Sequence, residues 1–404
     1  MITARELVGA DFELPTPRRC RHVPPLLAPF RHICGTVLTA PANGQKTVAP
    51  FVSKITAYGD LIDPGLNCDS CSSSLWSTNK MLWVCRDTQQ VLADGTIGPN
   101  SVVNSASFST LPTPLNDPQQ LLLHSPESFG HVFYAMEPDE CGQGLCEDGI
   151  CYPGLCSDGS RWVGWPDTGP VVTFRGLNAY AFITQQHLNG LSVLNTTGYE
   201  LYHVTSGIDL EGNTLPSTKQ HVDLLWNSTQ IGYGSAASVV HDSFAYLYGA
   251  TPNRKLAVAR AALIGLVPSL EDHSVYEYYV HGTWTRTAPV STDPTIVLPN
   301  TSAIQGTIYY SPKWESFVSI GGDGFPDANF LISTAPKAEG PWSAPLQFYS
   351  GSVDNGSLGA YSAVAHPGLT DGTGDYIFLT WTKTHPDVNG RDVYEQPLVR
   401  MDWE

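Results

Sequence analysis

YGSAASVVHDSFAYLYGATPNRKLAVARAAL (Tyr233–Leu263), followed by VYEYYVHGTW (Val275–Trp284), is the stretch that decides the fold. Short apolar and aromatic runs alternate with Asp, Ser, Pro, Asn and Gly, the pattern of brief β-strands cut by tight turns. Helical periodicity is nearly absent. Its best candidate, KLAVARAALIGL (Lys255–Leu266), reads equally as a strand and a short turn. The same plan of a small or polar start, an apolar strand, further strands and an aromatic finish recurs on both sides. Upstream lie CDSCSSSLW (Cys68–Trp76) with KMLWVCRDT (Lys80–Thr88) and SVVNSASFST, then RWVGWPDTGPVVTF (Arg161–Phe174) with LNAYAFITQQ. Downstream lie IQGTIYYSP (Ile304–Pro312) with WESFVSIGG, ANFLISTAP and GPWSAPLQFY, then GAYSAVAHPGL (Gly359–Leu369) with DYIFLTWTK and VYEQPLVRMDW. Five such units of four strands predict an all-β fold, a five-bladed β-propeller with four-stranded blades. A sandwich would not need an aromatic closure in each unit. Residues 48–404 are then a single propeller domain with a cysteine-rich loop at 139–158, and residues 1–47 an N-terminal extension wrapping it.

The chain carries 38 acidic and 21 basic residues, a net charge of −17, which repels a nucleic-acid backbone or an anionic membrane. A neutral or cationic ligand suits it better. Only 15% of residues are charged, against 37 Gly, 31 Pro and 10 Trp, so the surface relies on neutral polar groups and turns. In CGQGLCEDGICYPGLC, Cys141, Cys146, Cys151 and Cys156 recur every five residues. Disulfides or a metal could hold such a loop, but Asp139, Glu147 and Asp148 would repel thiolates, which favours disulfides. Cys68-x-x-Cys71 has no βαβ context and reads as structural bridging, and the odd total of 9 leaves one thiol free or paired outside the chain. Four sequons, at Asn195, Asn227, Asn300 and Asn355, agree with a secreted, extracellular glycoprotein. No apolar run reaches the ~18 residues of a membrane span. MITARELVGADFELP is no signal peptide, so the expectation is that a removed signal precedes the numbered chain.

In a propeller the first strand of each unit lines the axial funnel, and the second returns to the same rim. Asp69 opens the first such strand, Asp87 ends its partner directly after Arg86, and Asp167 opens the next unit after Trp162 and Trp165. Three carboxylates with an arginine and aromatic surface are the equipment of glycoside hydrolysis, where one carboxyl protonates the leaving oxygen and another attacks or stabilises the anomeric centre. An Asp at a strand end also serves as a turn former bonding its own backbone. Gln305, Tyr361 and Ser362 open the fourth and fifth units and could bind sugar hydroxyls. His241-Asp242 reads as a structural pair at the opposite rim. Gly321–Asp327 (GGDGFPD) resembles a calcium loop without regular ligand spacing and reads as a turn, so neither a metal nor a cofactor is expected. No Walker loop, G-x-S-x-G, H-E-x-x-H or dinucleotide fingerprint occurs.

CDSCSSSLWSTNKMLWVCRDTQ resembles the opening blade of a family of five-bladed propellers, once of unknown function, that includes bacterial endo-D-arabinanases. There an Asp in the first inner strand and a second Asp in a Gly-Asp-Thr element line the catalytic funnel. Asp69 matches the first and Asp87, in Arg86-Asp87-Thr88, the second, with Arg86 in place of glycine. KLAVARAAL, VYEYYVHGTW and GPWSAPLQFY are similar to later blades, and the cysteine loop and sequons look like those of fungal secreted members. The resemblance implies a monomeric hydrolase of polysaccharide or oligosaccharide, furanosidic (arabinan-like) linkages included. A carbohydrate-binding, lectin-like propeller is the rival, though five dissimilar inner strands favour one asymmetric site. A lyase or isomerase acting on uronic acids would want a more cationic funnel than Arg86 and Arg161 provide.

Overall fold

The computed structural model describes residues 48, 50–111, 121–125, 129–147, 149–208, 214–264 and 269–404. The chain divides into Met1–Gln45 and Lys46–Glu404, and the β-fold belongs to the second unit. The expected N-terminal extension of residues 1–47, with Cys20 and Cys34, lies outside the described residues. Among those residues the structure is all-β, strands joined by turns and four short 3-10 segments, and no helix is long and apolar enough to cross a membrane.

The deciding stretch forms one antiparallel meander: Ala237–His241, Phe244–Ala250, Leu256–Ala262, Tyr276–Val280 and Thr283–Thr285. KLAVARAAL is therefore a strand. Ala257, Val258 and Ala259 are wholly buried, so both faces of that strand are covered, which removes the alternation that would have marked it. The fourth group is a four-stranded path, Gly306–Ser311, Ser316–Gly322, Asn329–Ala335 and Leu346–Ser350.

The other groups depart from four even strands for local reasons. In the second, Arg161–Trp165 and Val171–Phe174 both pair with Asn178–Asn189, and the break between them holds Pro166 and Pro170, which cannot donate to a ladder. In the first, the chain from Leu66 to Ser77 and its partners split into two three-stranded sheets at Asp69. In the last, Ala360–Ala365, Tyr376–Pro386 and Pro397–Trp403 are completed by the N-terminal strand Val52–Ile62, which runs antiparallel to Pro397–Trp403 with Val52 opposite Trp403.

The first strands of the groups touch in chain order. Ser72–Ser77 meets Val171–Phe174, which meets Ala237–His241, then Gly306–Ser311, then Ala360–Ala365, and the turn Pro367–Leu369 returns to Ser72–Ser77. Hydrophobic cores lie between consecutive groups in the same order. Strand Lys80–Cys85 shows the rule: Trp83 packs with Phe378 and Leu398 of the last group, while Leu82 and Val84 pack with Ile183 and Val204 of the second.

Among the described residues three disulfides form, Cys141–Cys156, Cys146–Cys151 and Cys71–Cys85. The cysteine-rich loop is thus held by disulfides, as expected. The pairing of Cys68 with Cys71 is not seen: Cys71 faces Cys85 on the adjacent strand, and Cys68 is a buried free thiol. Within the loop, Gly154 N donates to Cys141 O and Trp162 N to Gly154 O, which seats the loop on the Arg161–Trp165 strand.

Candidate active site

The split in the first group is a β-bulge. Asp69 N donates to Asp87 O at 2.9 Å and Arg86 N donates to Asp69 O at 2.8 Å, so one residue opposes two. Bulges re-aim side chains, and this one delivers Asp69, Arg86 and Asp87 to a single place. Ser70, next along, holds φ +50°, and Ser362 in the last group holds φ +56°. Left-handed backbone costs a non-glycine residue roughly 1–2 kcal/mol, a local strain the surrounding packing must offset.

Those two serines meet, Oγ to Oγ, at 2.7 Å. Ser70 Oγ donates to Asp69 Oδ1 at 2.6 Å, and the Tyr361 hydroxyl donates to the same oxygen at 2.8 Å. Ser362 Oγ donates to Gln305 Oε1 at 2.5 Å, leaving the buried Gln305 Nε2 without a partner. Asp69 is 8% exposed. Burial lifts its carboxyl from 3.8 to about 6 and Asp87 adds to the rise, against the pull of Arg86, Ser70 and Tyr361.

Asp87 is treated differently. Its Oδ1 accepts Trp165 Nε1–H at 3.0 Å and its Oδ2 accepts Arg161 at 2.8 Å. Both of its oxygens are thus engaged by donors. Arg86 pairs with Asp167. Burial works against the Arg86 charge, and Asp167 and Asp69 more than restore it. The guanidinium carbons of Arg86 and Arg161 lie 5.5 and 5.4 Å from the Trp165 ring centroid, within cation–π reach. Tyr394 lies near Asp69 and Asp87 and Tyr199 near Asp167; burial first, and then those carboxylates, push both phenols up.

All eight residues expected from the sequence, Asp69, Asp87, Asp167, Arg86, Trp165, Gln305, Tyr361 and Ser362, thus fall in one connected cluster. Trp162 does not join it: its ring stacks on His187 at 4.7 Å. His241 pairs with Asp242 at 3.2 Å and stacks on Tyr310, beside a cavity of about 430 Å³ whose lining runs from Ser72 and Thr168 to His241 and Tyr310. In Gly321–Asp327, Asp323 accepts from Asn329, and among the described residues the only group spaced to hold a metal is Cys68, Cys71 and Cys85, two of which are bonded to each other.

Ser70 and Tyr394 were not expected in the cluster, and Arg161 was read as a funnel cation without being given a role in the site. Arg161 had a readable signal, since Arg161, Val163 and Trp165 share one face of a strand by its period of two. Tyr394 had none, because the Asp392–Glu395 strand, a hairpin return on Tyr376–Pro386, is brought beside Asn67, 327 residues from Tyr394 in the chain.

No family model matches the sequence, and no curated protein matches it. The fold is one already seen. An inferred hydrolase from Bacteroides ovatus ATCC 8483 superposes with a TM-score of 0.56 at 16% identity, over 85% of this chain and 86% of that one. A GH43_1 enzyme from Xanthomonas citri reaches 0.43 at 11% identity, over 86% and 90%. The α-L-arabinofuranosidase PaAbf62A from Podospora anserina, solved with cellotriose, reaches 0.43 at 11%, over 87% and 98%. At 16% identity the first likeness speaks to the arrangement of strands alone.

Proposed function

We propose that residues 48–404 form one five-bladed β-propeller whose axial funnel is the active site of a secreted, monomeric glycoside hydrolase. The ring of first strands, the cores between successive groups and the N-terminal strand that completes the last sheet support the propeller reading. Disulfides and exposed sequons support secretion.

One observation carries the chemistry: two carboxyls at one bulge sit in different surroundings, Asp69 buried with its carboxyl lifted to about 6 and Asp87 accepting from an arginine and an indole. Asp69, buried and doubly hydrogen-bonded on Oδ1, keeps its other oxygen for a proton and is the acid that protonates the leaving glycosidic oxygen. Asp87, accepting on both oxygens, is the carboxylate that meets the anomeric carbon or the water attacking it. Arg161 and Trp165 position Asp87. Asp167 serves as third carboxylate, orienting Arg86 and facing substrate with its more exposed edge. Gln305 and the Tyr361–Ser362 edge bind sugar hydroxyls, Gln305 by way of Ser362, whose Oγ donates to its Oε1. The substrate class we favour is furanosidic, arabinan-like polysaccharide or oligosaccharide.

The test is release of reducing ends from a polysaccharide panel, arabinans and fructans included, by the wild type and by Asp69→Asn. Release by the wild type alone supports the reading and names the sugar. Silence across the panel, with retention on a glycan array, replaces it with a lectin.

A further inference from the structure

Behind Trp165 lies a second group of buried carboxyls that the proposed chemistry does not use. Glu200, on the long strand Ser192–Ile208, is 3% exposed, and Glu140, in the turn Pro138–Glu140 that opens the cysteine-rich loop, is 6% exposed. The charged groups that face Glu200 are acidic: Asp223 on the next strand, and Glu137 and Glu140 on the loop.

The hydrogen bonds allow a proton count. The Tyr202 hydroxyl oxygen is 2.6 Å from Ala135 O and 2.6 Å from Glu200 Oε2. A phenol has one hydrogen. Ala135 O can only accept, so with Glu200 ionised the one hydrogen serves either Ala135 O or Glu200, whereas a proton on Glu200 lets both contacts be hydrogen bonds. Gln185 Nε2 donates to the same Glu200 oxygen at 2.9 Å. With that proton in place, the donors run from Glu200 to Tyr202 to the backbone of the segment that leads into the disulfide loop. Its other flank is Asn104, whose Nδ2 donates to Tyr134 O at 3.1 Å and to Gly164 O at 3.2 Å. Gly164 precedes Trp165, and Gln185 packs against it so closely that a Cβ there would lie 3.1 Å from Nε2.

We propose that Glu200 works as a neutral acid that positions the segment entering the cysteine-rich loop, and that loss of its proton weakens the hold on this segment at Ala135, leaving the bonds of Asn104 to Tyr134 in place. When Glu200 ionises, Tyr202 turns its one hydrogen to the new carboxylate. Ala135 O then loses its donor, and the proton passes to solvent. Burial lifts the Glu200 carboxyl to about 7, so the weakening falls near neutral pH. The effect on Trp165 rests on the proposed active site; the latch itself does not.

Backbone hydrogen exchange over residues 131–147, without substrate and corrected for intrinsic exchange, tests the latch directly. From about pH 5 to about pH 9 the wild type should lose protection there by about tenfold, the equivalent of one net hydrogen bond. Glu200→Gln should keep its protection throughout, and Tyr202→Phe should lack it at both ends. Constant wild-type protection, or the same loss in Glu200→Gln, overturns the proposal. Should Glu200→Gln not fold, a surviving pH step in Tyr202→Phe would overturn it equally. None of these readings depends on turnover, so failure of the hydrolase assignment is seen separately.

Discussion

Asp69 and Asp87 sit on neighbouring strands, yet one is surrounded by hydroxyls and the other by a guanidinium and an indole. Each should be indispensable in its own way. Asp69→Asn and Asp87→Asn are expected to cut kcat by about 10²–10⁴-fold or more while leaving near-UV circular dichroism unchanged; full activity in either removes that residue from the mechanism. With Asp69 as the acid, kcat/KM should fall as pH rises through about 6. Tyr361 favours the ionised form of Asp69, so Tyr361→Phe should move that alkaline limb upward rather than abolish it. A limb that stays in place assigns the titration to another group. Asp69 and Asp87 were legible because strand order alone brings their two positions together. The upward shift of the Asp69 carboxyl was not, since it follows from burial among residues far along the chain, and Tyr361, which opposes it, lies 292 residues away.

Strand elements carry a different kind of information. The bulge at Asp69 and the proline break at Pro166–Pro170 both interrupt a first strand where it faces the candidate site, which is why regular four-strand units were expected but not found throughout. The repeat itself was readable because buried strands end at turn formers; KLAVARAAL was ambiguous because burial on both faces erases its period. The disulfide Cys71–Cys85 ties the bulged pair across a separation of 14 residues, a loop for which chain-entropy arguments give about 3 kcal/mol. Replacing both cysteines by alanine should lower stability to denaturant by that order, and an unchanged midpoint would show the bulge to be self-sufficient. The seat of the cysteine-rich loop can be probed at Gly154, where φ is +89° and a Cβ would come 2.4 Å from Trp162 O. Gly154→Ala should depress the thermal midpoint clearly more than Gly149→Ala, whose φ of +81° opens on empty space. Equal effects would mean that the loop does not bear on the strand.

At the scale of the whole molecule, buried titratable groups oppose one another. His366 of the last group accepts or donates at 2.7 Å to Ser73 of the first group and to Thr380, and burial drives its imidazole from 6.5 down to about 3. The unfolded chain binds that proton first, so this stability is present above pH 6.5 and lost as pH falls towards about 3. Glu200 and Glu140 work in the other direction. Burial lifts them from 4.5 to about 7 and about 8, so their contribution is complete below pH 4.5 and lost as pH rises through those values. A net charge of −17 adds self-repulsion on the alkaline side. The thermal midpoint should therefore peak at mildly acidic pH, and His366→Gln should flatten only the acidic slope. A maximum above pH 8 would contradict this balance.

Closure of the last sheet by Val52–Ile62 also has a consequence in time. A ribosome makes that strand before the other strands described, but its partner, Pro397–Trp403, follows all of them. Until then an edge strand with free amides and carbonyls waits in the nascent chain, open to the wrong neighbour. Loss of Pro397–Trp403 would leave every earlier sheet intact in sequence and the last sheet without its link to Val52–Ile62.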